Sequence, residues 1–528
     1  MAFTRNLLLS AAAALALGCT PRTLTYDVKL VTKACGGDRS PVEGVTHVQL
    51  RVSGDEMETV SLNGLYGDGA LALPEVPAGK NRRIEARAYA GDPATGGQLV
   101  SLGRSTLFEI PEVIPAGGGQ PVSVTVFLRR VNAFSRVSSA ASPESCTSLK
   151  TARAGHGATL LPDGRVYVSG GFQVQGNRRV ALSSAEIFYP STGDFSQAEE
   201  LAFVSPNGVS YPTPRAFHAA TLLDPQNGQV LLTGGETYTD SGNPAPITFG
   251  LLYDPSFNDY GVIRMKVERS RHQAARDASG RVVLVGGVDK TGAALSTLEF
   301  YQAGLSETRE LMDATGNLLA LKRVGHAVAP VQGGQFLAVA GGSDGATLQD
   351  AVRFLTFDGE RFAFAETSSP QLQDPRRGGA LVPFRGDEEL LLVGGFDSAA
   401  ESSFKPVATT ELLKTGQAFQ VSDGPGLANA RGHLCAAALG DGRVLTVGGY
   451  LSDAVTGARS DSSAEVISPK SDGTAEAVAL SPMNQGRHFA TCTLMQDGTV
   501  LVVGGVNAVG STQTTLDEAW IFTPAPLE

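Results

Sequence analysis

Seven Gly-Gly pairs constrain this 528-residue chain most strongly, because each pair closes a short apolar run and the pairs recur every 52 to 64 residues. Repetition at such a period is typical of proteins in which each unit buries its apolar surface against its neighbours. Glycine suits a position where the backbone turns sharply or where another segment approaches closely. The pairs are Gly170 and Gly171, Gly234 and Gly235, Gly286 and Gly287, Gly341 and Gly342, Gly394 and Gly395, Gly448 and Gly449, and Gly504 and Gly505.

The residues around each pair predict four strands per unit. A turn dipeptide such as Asp163-Gly164 lies upstream of most pairs and is typical of a tight hairpin. A strand headed by arginine and histidine precedes that turn, as in residues 153–160. A strand led by glutamate, such as residues 186–188, follows the Gly pair, and a short fourth strand such as residues 194–195 completes the unit.

Four strands per unit with a Gly-Gly signature resemble kelch repeats, and the order Arg-x-x-His, Asp-Gly-Arg-Val, Gly-Gly is similar to bacterial kelch and galactose-oxidase-type propellers. The resemblance implies an all-β fold with a seven-bladed β-propeller over residues 149–528. The chain departs from the eukaryotic kelch pattern because it lacks a regular Tyr and Trp. Residues 189–195 come nearest to that pattern, with Phe195 in the Trp position.

Imidazole and charged side chains recur once per unit. Six histidines lie 14 to 16 residues before their Gly pairs, so we expect them to share one position and to support the scaffold: His156, His218, His272, His326, His433 and His488. Arginines such as Arg153 and Arg215 begin the first strands, and glutamates such as Glu186 lead five of the third strands. We expect these arginines and glutamates to pair within or between blades. The alternative is a ring of arginines that receives an anionic ligand.

The seventh unit ends after its third strand, which predicts how the ring closes. Residues 132–137, ahead of the first unit, resemble residues 193–196 of the first blade. We therefore expect the segment near Phe134 to form the outermost strand of the last blade, within a linker over residues 131–148. Residues 24–130 alternate with period two in about seven short runs, which predicts a small immunoglobulin-like or transthyretin-like β-sandwich.

Residues 1–18 predict a secretory signal, with Arg5 followed by about a dozen apolar residues. Small residues ending at Cys19 resemble the lipobox of bacterial lipoproteins, which implies lipidation of Cys19 and a tether over residues 19–23. Ordinary cleavage with loss of Cys19 is the alternative. The sequence thus predicts an exported lipoprotein at the outer membrane or cell surface, held to the membrane by its lipid alone.

Export places the remaining cysteines in a compartment that permits disulfides. Cys35 and Cys146 flank the first domain, and the sequence leaves open whether they are bridged. Cys435 and Cys492 lie in apolar strands, where we expect small buried residues rather than a bridge.

The net charge of −11 argues against a nucleic-acid partner. No short motif of a hydrolase, a nucleotide-binding protein or a metal site is present, so no catalytic residue, metal or cofactor is predicted. A galactose-oxidase site needs a cysteine-crosslinked tyrosine and two histidine ligands, and none of its residues carries over to this chain. Two functions remain: a non-catalytic binding or scaffolding protein, or an extracytoplasmic carbohydrate-active enzyme of oxidase or epimerase type.

Strand order places the short turns on one face of the ring and the long loops on the other. Binding residues tend to lie on long loops held by a rigid scaffold. We therefore expect a protein or glycan of the cell envelope to bind the loop face, through Phe172, Arg178, Tyr238, Asp240, Phe396, Asp397 and Tyr450.

Overall fold

The computed structural model describes residues 8–13, 24–67, 76–111, 122–205, 207–400, 405–416, 418–453 and 457–527. These residues form β-strands and loops, with one 3-10 turn at Pro93–Thr95. No helix in the described ranges is long and apolar enough to cross a membrane. The chain is therefore all-β, as the sequence predicts.

Seven antiparallel sheets of four main strands follow one another along residues 149–527 and close into a ring, because the first strand of each blade contacts those of the blades on either side. These first strands surround the axis. The blades comprise Gly157–Leu160, Val166–Ser169, Ala185–Tyr189 and Asp194–Gln197; Ala219–Leu222, Val230–Thr233, Pro244–Asp254 and Asp259–Arg269; Gln273–Arg276, Val282–Val285, Leu298–Tyr301 and Arg309–Glu310; Ala327–Val331, Phe336–Ala340, Arg353–Phe357 and Phe362–Phe364; Ala380–Pro383, Glu389–Val393, Thr410–Lys414 and Gln420–Asp423; Cys435–Ala438, Val444–Val447, Ala464–Pro469 and Ala475–Ala479; and Thr491–Leu494, Val500–Val503, Ala519–Thr523 and Ala133–Arg136.

The last blade combines both ends of the propeller segment. Ala133–Arg136 pairs antiparallel with Ala519–Thr523 as the outermost strand of the seventh blade. The predicted closure is therefore confirmed. A closed ring leaves no open sheet edge at the junction between its first and last units.

The Gly pairs join neighbouring blades. Gly170 has a φ of +56°, and a Cβ there would lie 2.4 Å from the carbonyl oxygen of Arg215 in the next blade. The N–H of Gly171 donates to that same carbonyl at 2.8 Å. A side chain at Gly170 would therefore separate the two blades, which explains why glycine recurs after each buried second strand.

Buried arginines fasten each blade to the segment before it. Five arginines meet the glutamate of the third strand in their own blade, at 2.5 to 3.0 Å: Arg153 with Glu186, Arg269 with Glu299, Arg376 with Glu411, Arg431 with Glu465, and Arg487 with Glu518. The carboxylate of Glu186 also accepts the backbone N–H groups of Lys150 and Thr151, in the connection entering the blade. The predicted pairing is confirmed. In the second and fourth blades, which lack that glutamate, Arg215 and Arg323 donate to backbone carbonyls instead.

The first domain is a sandwich of two sheets. One contains Leu8–Ala13, Leu24–Val31 and Val122–Phe127; the other contains Val60–Leu65, His47–Ser53, Gly79–Ala90, Gln98–Arg104 and Arg129–Arg130, with Phe108–Ile110 beside Gly79–Ala90. Val28 and Val126 of the first sheet and Leu50 and Ile84 of the second share its buried core. The strand predicted near residues 70–73 lies outside the described residues. The signal peptide and the lipidation of Cys19 stay predictions.

The first domain contacts the short-turn face of the ring. The guanidinium of Arg83 donates to the carbonyl of Gln496, and that of Arg104 donates to the carbonyl of Asp497. Both acceptors lie in the turn between the first two strands of the seventh blade. The loop face is therefore turned away from the first domain.

Two disulfides are present. Cys35 and Cys146 tie the first domain to the linker, with their Cα atoms 5.2 Å apart. Cys435 and Cys492 are also bridged, with their Cα atoms 5.6 Å apart, so the prediction that they are separate buried residues is wrong. They lie on the inner strands of adjacent blades, which converge near the axis and bring equivalent positions within bonding reach.

Candidate functional site

A cavity of about 390 Å³ opens at the axis of the ring, on the loop face. It lies where the inner strands begin, and all seven blades contribute to its wall. Arg179, Tyr450 and Gln513, which lie on loops after Gly pairs, form part of its rim. We refer to this cavity as the channel mouth. Its volume is in the range of small-molecule sites.

Seven residues with left-handed backbone form a ring around the channel mouth. Each lies two positions after its blade's buried arginine and has a φ between +51° and +67°: Gly155, Phe217, Arg271, Gly325, Gly378, His433 and Phe489. Backbone hydrogen bonds link them from blade to blade, as from the N–H of Phe217 to the carbonyl of Gly155 at 2.8 Å. The N–H of Gly155 closes the ring on the carbonyl of Phe489 at 3.0 Å.

Four of these seven positions carry bulky side chains in a conformation that favours glycine. A left-handed residue other than glycine costs roughly 1–2 kcal/mol. Glycine occupies the position in three blades, so the backbone there does not require a side chain. We conclude that Phe217, Arg271, His433 and Phe489 are retained for what their side chains do at the channel mouth, which all four line.

The histidines do not share one position. Measured from the buried arginine, His156, His218, His272 and His326 occupy the third position, and Gly379, Leu434 and Ala490 follow in the remaining blades. His433 lies in the left-handed ring instead, and His488 lies one residue earlier, in a bridge with Val506. The prediction of one common position is therefore wrong for His433 and His488. Turns of different length between the arginine and the Gly pair conceal this shift.

Burial keeps these imidazoles neutral. Desolvation, together with the charges of nearby arginines, lowers the pKa of His218, His326, His433 and His488 to about 3. His218 and His272 share hydrogen bonds of 2.9 and 2.8 Å with Ser169 and Thr233 of the preceding blade. These two histidines therefore join blades, as a scaffold role predicts. Among the described residues, no three His, Cys, Asp or Glu side chains converge as a metal site.

Aromatic rings cover one side of the channel mouth. Phe217 and Phe489 meet edge to face with centroids 5.1 Å apart, and Phe172 lies 5.4 Å from Phe217. His433 stacks 4.5 Å from Phe489. Aromatic faces of this kind provide apolar area and attract cations.

Three arginines face this aromatic surface. Arg271 donates through Nε and Nη2 to the fully buried carboxylate of Glu236 at 3.1 and 3.0 Å, and the hydroxyl of Tyr238 donates to the same carboxylate at 3.0 Å. Arg377 donates to the carbonyl of Ala399 at 2.7 Å. The guanidinium carbon of Arg179 lies 4.7 Å from the centroid of Phe172.

Hairpins raise the rim of the channel mouth on one side. Phe172–Gln175 pairs with Arg178–Ala181 in the first blade. Tyr450–Asp453, Gly457–Ser460, Val506–Val509 and Thr512–Thr515 join the loops of the sixth and seventh blades into one sheet. The N–H of Val174 donates to Thr515 Oγ1 at 2.8 Å, so the two hairpin groups form a continuous wall.

The structure disperses the residues predicted to bind a partner. Phe172 and Phe396 are fully buried, so they form the wall beneath the surface. Arg178, Asp240 and Asp397 are exposed, Tyr238 is half-buried, and Tyr450 lines the channel mouth. Sequence reasoning missed Arg179, Phe217, Arg271, Phe489 and Gln513, which also line it. Counting from the repeated arginine would have revealed Phe217, Arg271 and Phe489 as one set.

Similar solved structures support the fold. A fungal alcohol oxidase of the AA5 family, solved in complex with copper, superposes with a TM-score of 0.52 at 15% identity, covering 71% of this chain and 74% of the oxidase. The structure of YjhT superposes with a TM-score of 0.44 at 14% identity, covering 63% of this chain and 99% of YjhT. No protein-family description and no curated protein matches the sequence. The chain thus has a kelch or galactose-oxidase-type propeller fold, and these likenesses carry no statement about its chemistry.

Proposed function

We propose that this chain is an exported, envelope-anchored binding protein that recognises a glycan or protein partner at the channel mouth, without turning it over. The observation that carries the proposal is the left-handed ring, in which four bulky side chains line the mouth at a backbone cost that glycine would avoid. The contacts between the first domain and the opposite face support it further, because they leave the mouth facing away from the predicted lipid anchor.

Site-specific photo-crosslinking tests the proposal. We would place a photoreactive residue at Gln513, on the wall of the channel mouth, and at Asp472, in an exposed turn of the short-turn face. The full chain would then be irradiated on intact cells, and glycan arrays would test the purified chain. Capture of one partner from position 513 and not from 472 supports the proposal. Capture from position 472 alone overturns it.

The enzyme alternative is tested on the same preparation. An oxidase of the galactose-oxidase type needs a cysteine bonded to a tyrosine, whereas Cys435 and Cys492 are bonded to each other. We expect neither bound copper nor hydrogen peroxide when sugar alcohols are supplied, and no epimerised product from a panel of sugars. Turnover of any of these substrates would overturn the non-catalytic function.

A further inference from the structure

Arg179 differs from the other arginines of the channel mouth in its contacts. Arg271 has the carboxylate of Glu236, and Arg377 has the carbonyl of Ala399. Arg179 has no carboxylate or carbonyl acceptor among the described residues. Its guanidinium carbon lies over three aromatic rings instead, 4.7 Å from the centroid of Phe172, 5.7 Å from that of Phe217 and 5.9 Å from that of Phe489.

Stacking of this kind occupies the face of a guanidinium and leaves the N–H groups at its edge available. Arginine carries five such donors in a planar fork that matches the oxygens of a carboxylate or a phosphate. The aromatic rings therefore hold the cation in place while its hydrogen-bonding capacity is unused. A half-buried guanidinium with unused donors is suited to an anionic ligand.

The hairpin around Arg179 is held from both sides, so the position of this cation is set in advance. On one side, the N–H of Val174, its register partner, donates to Thr515 Oγ1 at 2.8 Å. On the other side, the guanidinium of Arg178 donates to the carbonyls of Thr239 and Asp240. A preorganised contact loses less entropy when a ligand binds.

The charge balance of the channel mouth is positive although the chain carries a net charge of −11. Glu236 offsets Arg271, which leaves the charges of Arg179 and Arg377 without a carboxylate partner in the lining. The histidines there add no charge at neutral pH because burial lowers their pKa. A local positive field in a concave site concentrates anions.

We propose that the channel mouth binds a small organic anion, whose carboxylate or phosphate monoester meets the edge of Arg179 and whose apolar or flat remainder packs on Phe217 and Phe489. The cavity of about 390 Å³ suits a molecule of roughly one or two sugar rings in size. This inference rests on the proposed function, because it names the class of ligand that the same mouth takes.

Calorimetric titration of the full chain with paired probes tests this inference. Glucuronate and glucose 6-phosphate are compared with glucose, and benzoate with benzyl alcohol, so that the carboxylate, the phosphate and the ring are varied separately. Arg179→Gln is compared with Arg178→Gln, its exposed neighbour on the same strand, whose side chain donates to carbonyls outside the cavity. Both variants remove one charge from the rim and leave the buried core intact.

We expect at least one anionic probe to bind at least tenfold more tightly than its neutral counterpart. Arg179→Gln should weaken that binding at least tenfold and reduce its dependence on salt, whereas Arg178→Gln should change it less than twofold. Equal binding of anionic and neutral probes, or equal loss in the two variants, would overturn the inference. A partner that still crosslinks at position 513 after Arg179→Gln leaves the proposed function standing and removes this inference alone. Turnover of a probe removes the non-catalytic function and leaves the anion site standing if the variant still loses affinity.

Discussion

Phe134 lies directly opposite Phe522 in the seventh blade, with the centroids of the two rings 5.3 Å apart. The neighbouring backbone reinforces the pair, because the N–H of Asn132 donates to the carbonyl of Thr523 at 2.7 Å. The strand that closes the ring thus comes from the linker after the first domain. Non-covalent contacts between this linker strand and residues near the carboxyl end therefore complete the seventh blade.

Truncation of the closing ring should destabilise the propeller. Phe134→Ala removes a half-buried ring from the core of the last two blades, and we expect the free energy of unfolding to fall by about 2 kcal/mol, below the 3–5 kcal/mol of a fully buried phenylalanine. Urea denaturation monitored by fluorescence gives the value. Phe257→Ala is the matched control, because that side chain is 82% exposed and its loss should cost less than about 0.5 kcal/mol. Similar losses in both variants would show that the closing strand contributes nothing.

The buried ion pairs should be far more sensitive than exposed ones. Glu299→Gln leaves the buried guanidinium of Arg269 without its counter-charge, which should lower the free energy of unfolding by about 3–5 kcal/mol. Glu307→Gln breaks the pair with Lys266, in which both side chains are 43% exposed, and should cost at most about 1 kcal/mol. Thermal unfolding of the two variants beside the parent chain provides the measurement. A loss at Glu299 no larger than that at Glu307 would contradict the structural role of the buried pairs.

Two glycines with nearly the same backbone separate strain from blade packing. Gly170 and Gly176 have φ values of +56° and +63°, but a Cβ at Gly176 would meet nothing within 4 Å. Gly176→Ala should therefore cost only the left-handed strain, about 1 kcal/mol. Gly170→Ala should cost about 2 kcal/mol more, because its Cβ would collide with the carbonyl of Arg215 in the next blade. Equal costs in chemical denaturation would mean that the blades can separate freely at this point.

Much of the fold could be predicted because it is written in local patterns that repeat. The Gly pairs, the hairpin turns and the glutamate-led strands fix four strands per blade. The likeness between residues 132–137 and the outer strand of the first blade identifies the closing strand. Each of these signals lies within a few residues of the structure that it determines.

The channel mouth could not be predicted because it depends on register and on contacts between blades. His433 and His488 differ from the other histidines by one or two residues relative to the buried arginine, and turns of unequal length hide that difference. Which of Arg178 and Arg179 faces the channel depends on the turn of their hairpin. The pairing of Cys435 with Cys492 depends on how closely two inner strands approach the axis.

The disulfide between the sixth and seventh blades should stabilise the ring across one blade interface. It links residues 57 apart, and constraint of a loop of that length in the unfolded chain contributes about 4 kcal/mol in the chain-entropy account. Cys435→Ala with Cys492→Ala should therefore lower the midpoint of thermal unfolding, and reductant should lower the parent chain towards the same value.

The double variant at Cys35 and Cys146 is the matched control, because that bridge ties the first domain to the linker and lies outside the blades. Its unfolding should remain sensitive to reductant through Cys435 and Cys492 alone. Thiol labelling of the unreduced, denatured chain gives an independent readout, in which neither Cys435 nor Cys492 should react. Quantitative labelling of both would show that the two inner strands are held together without a covalent bond.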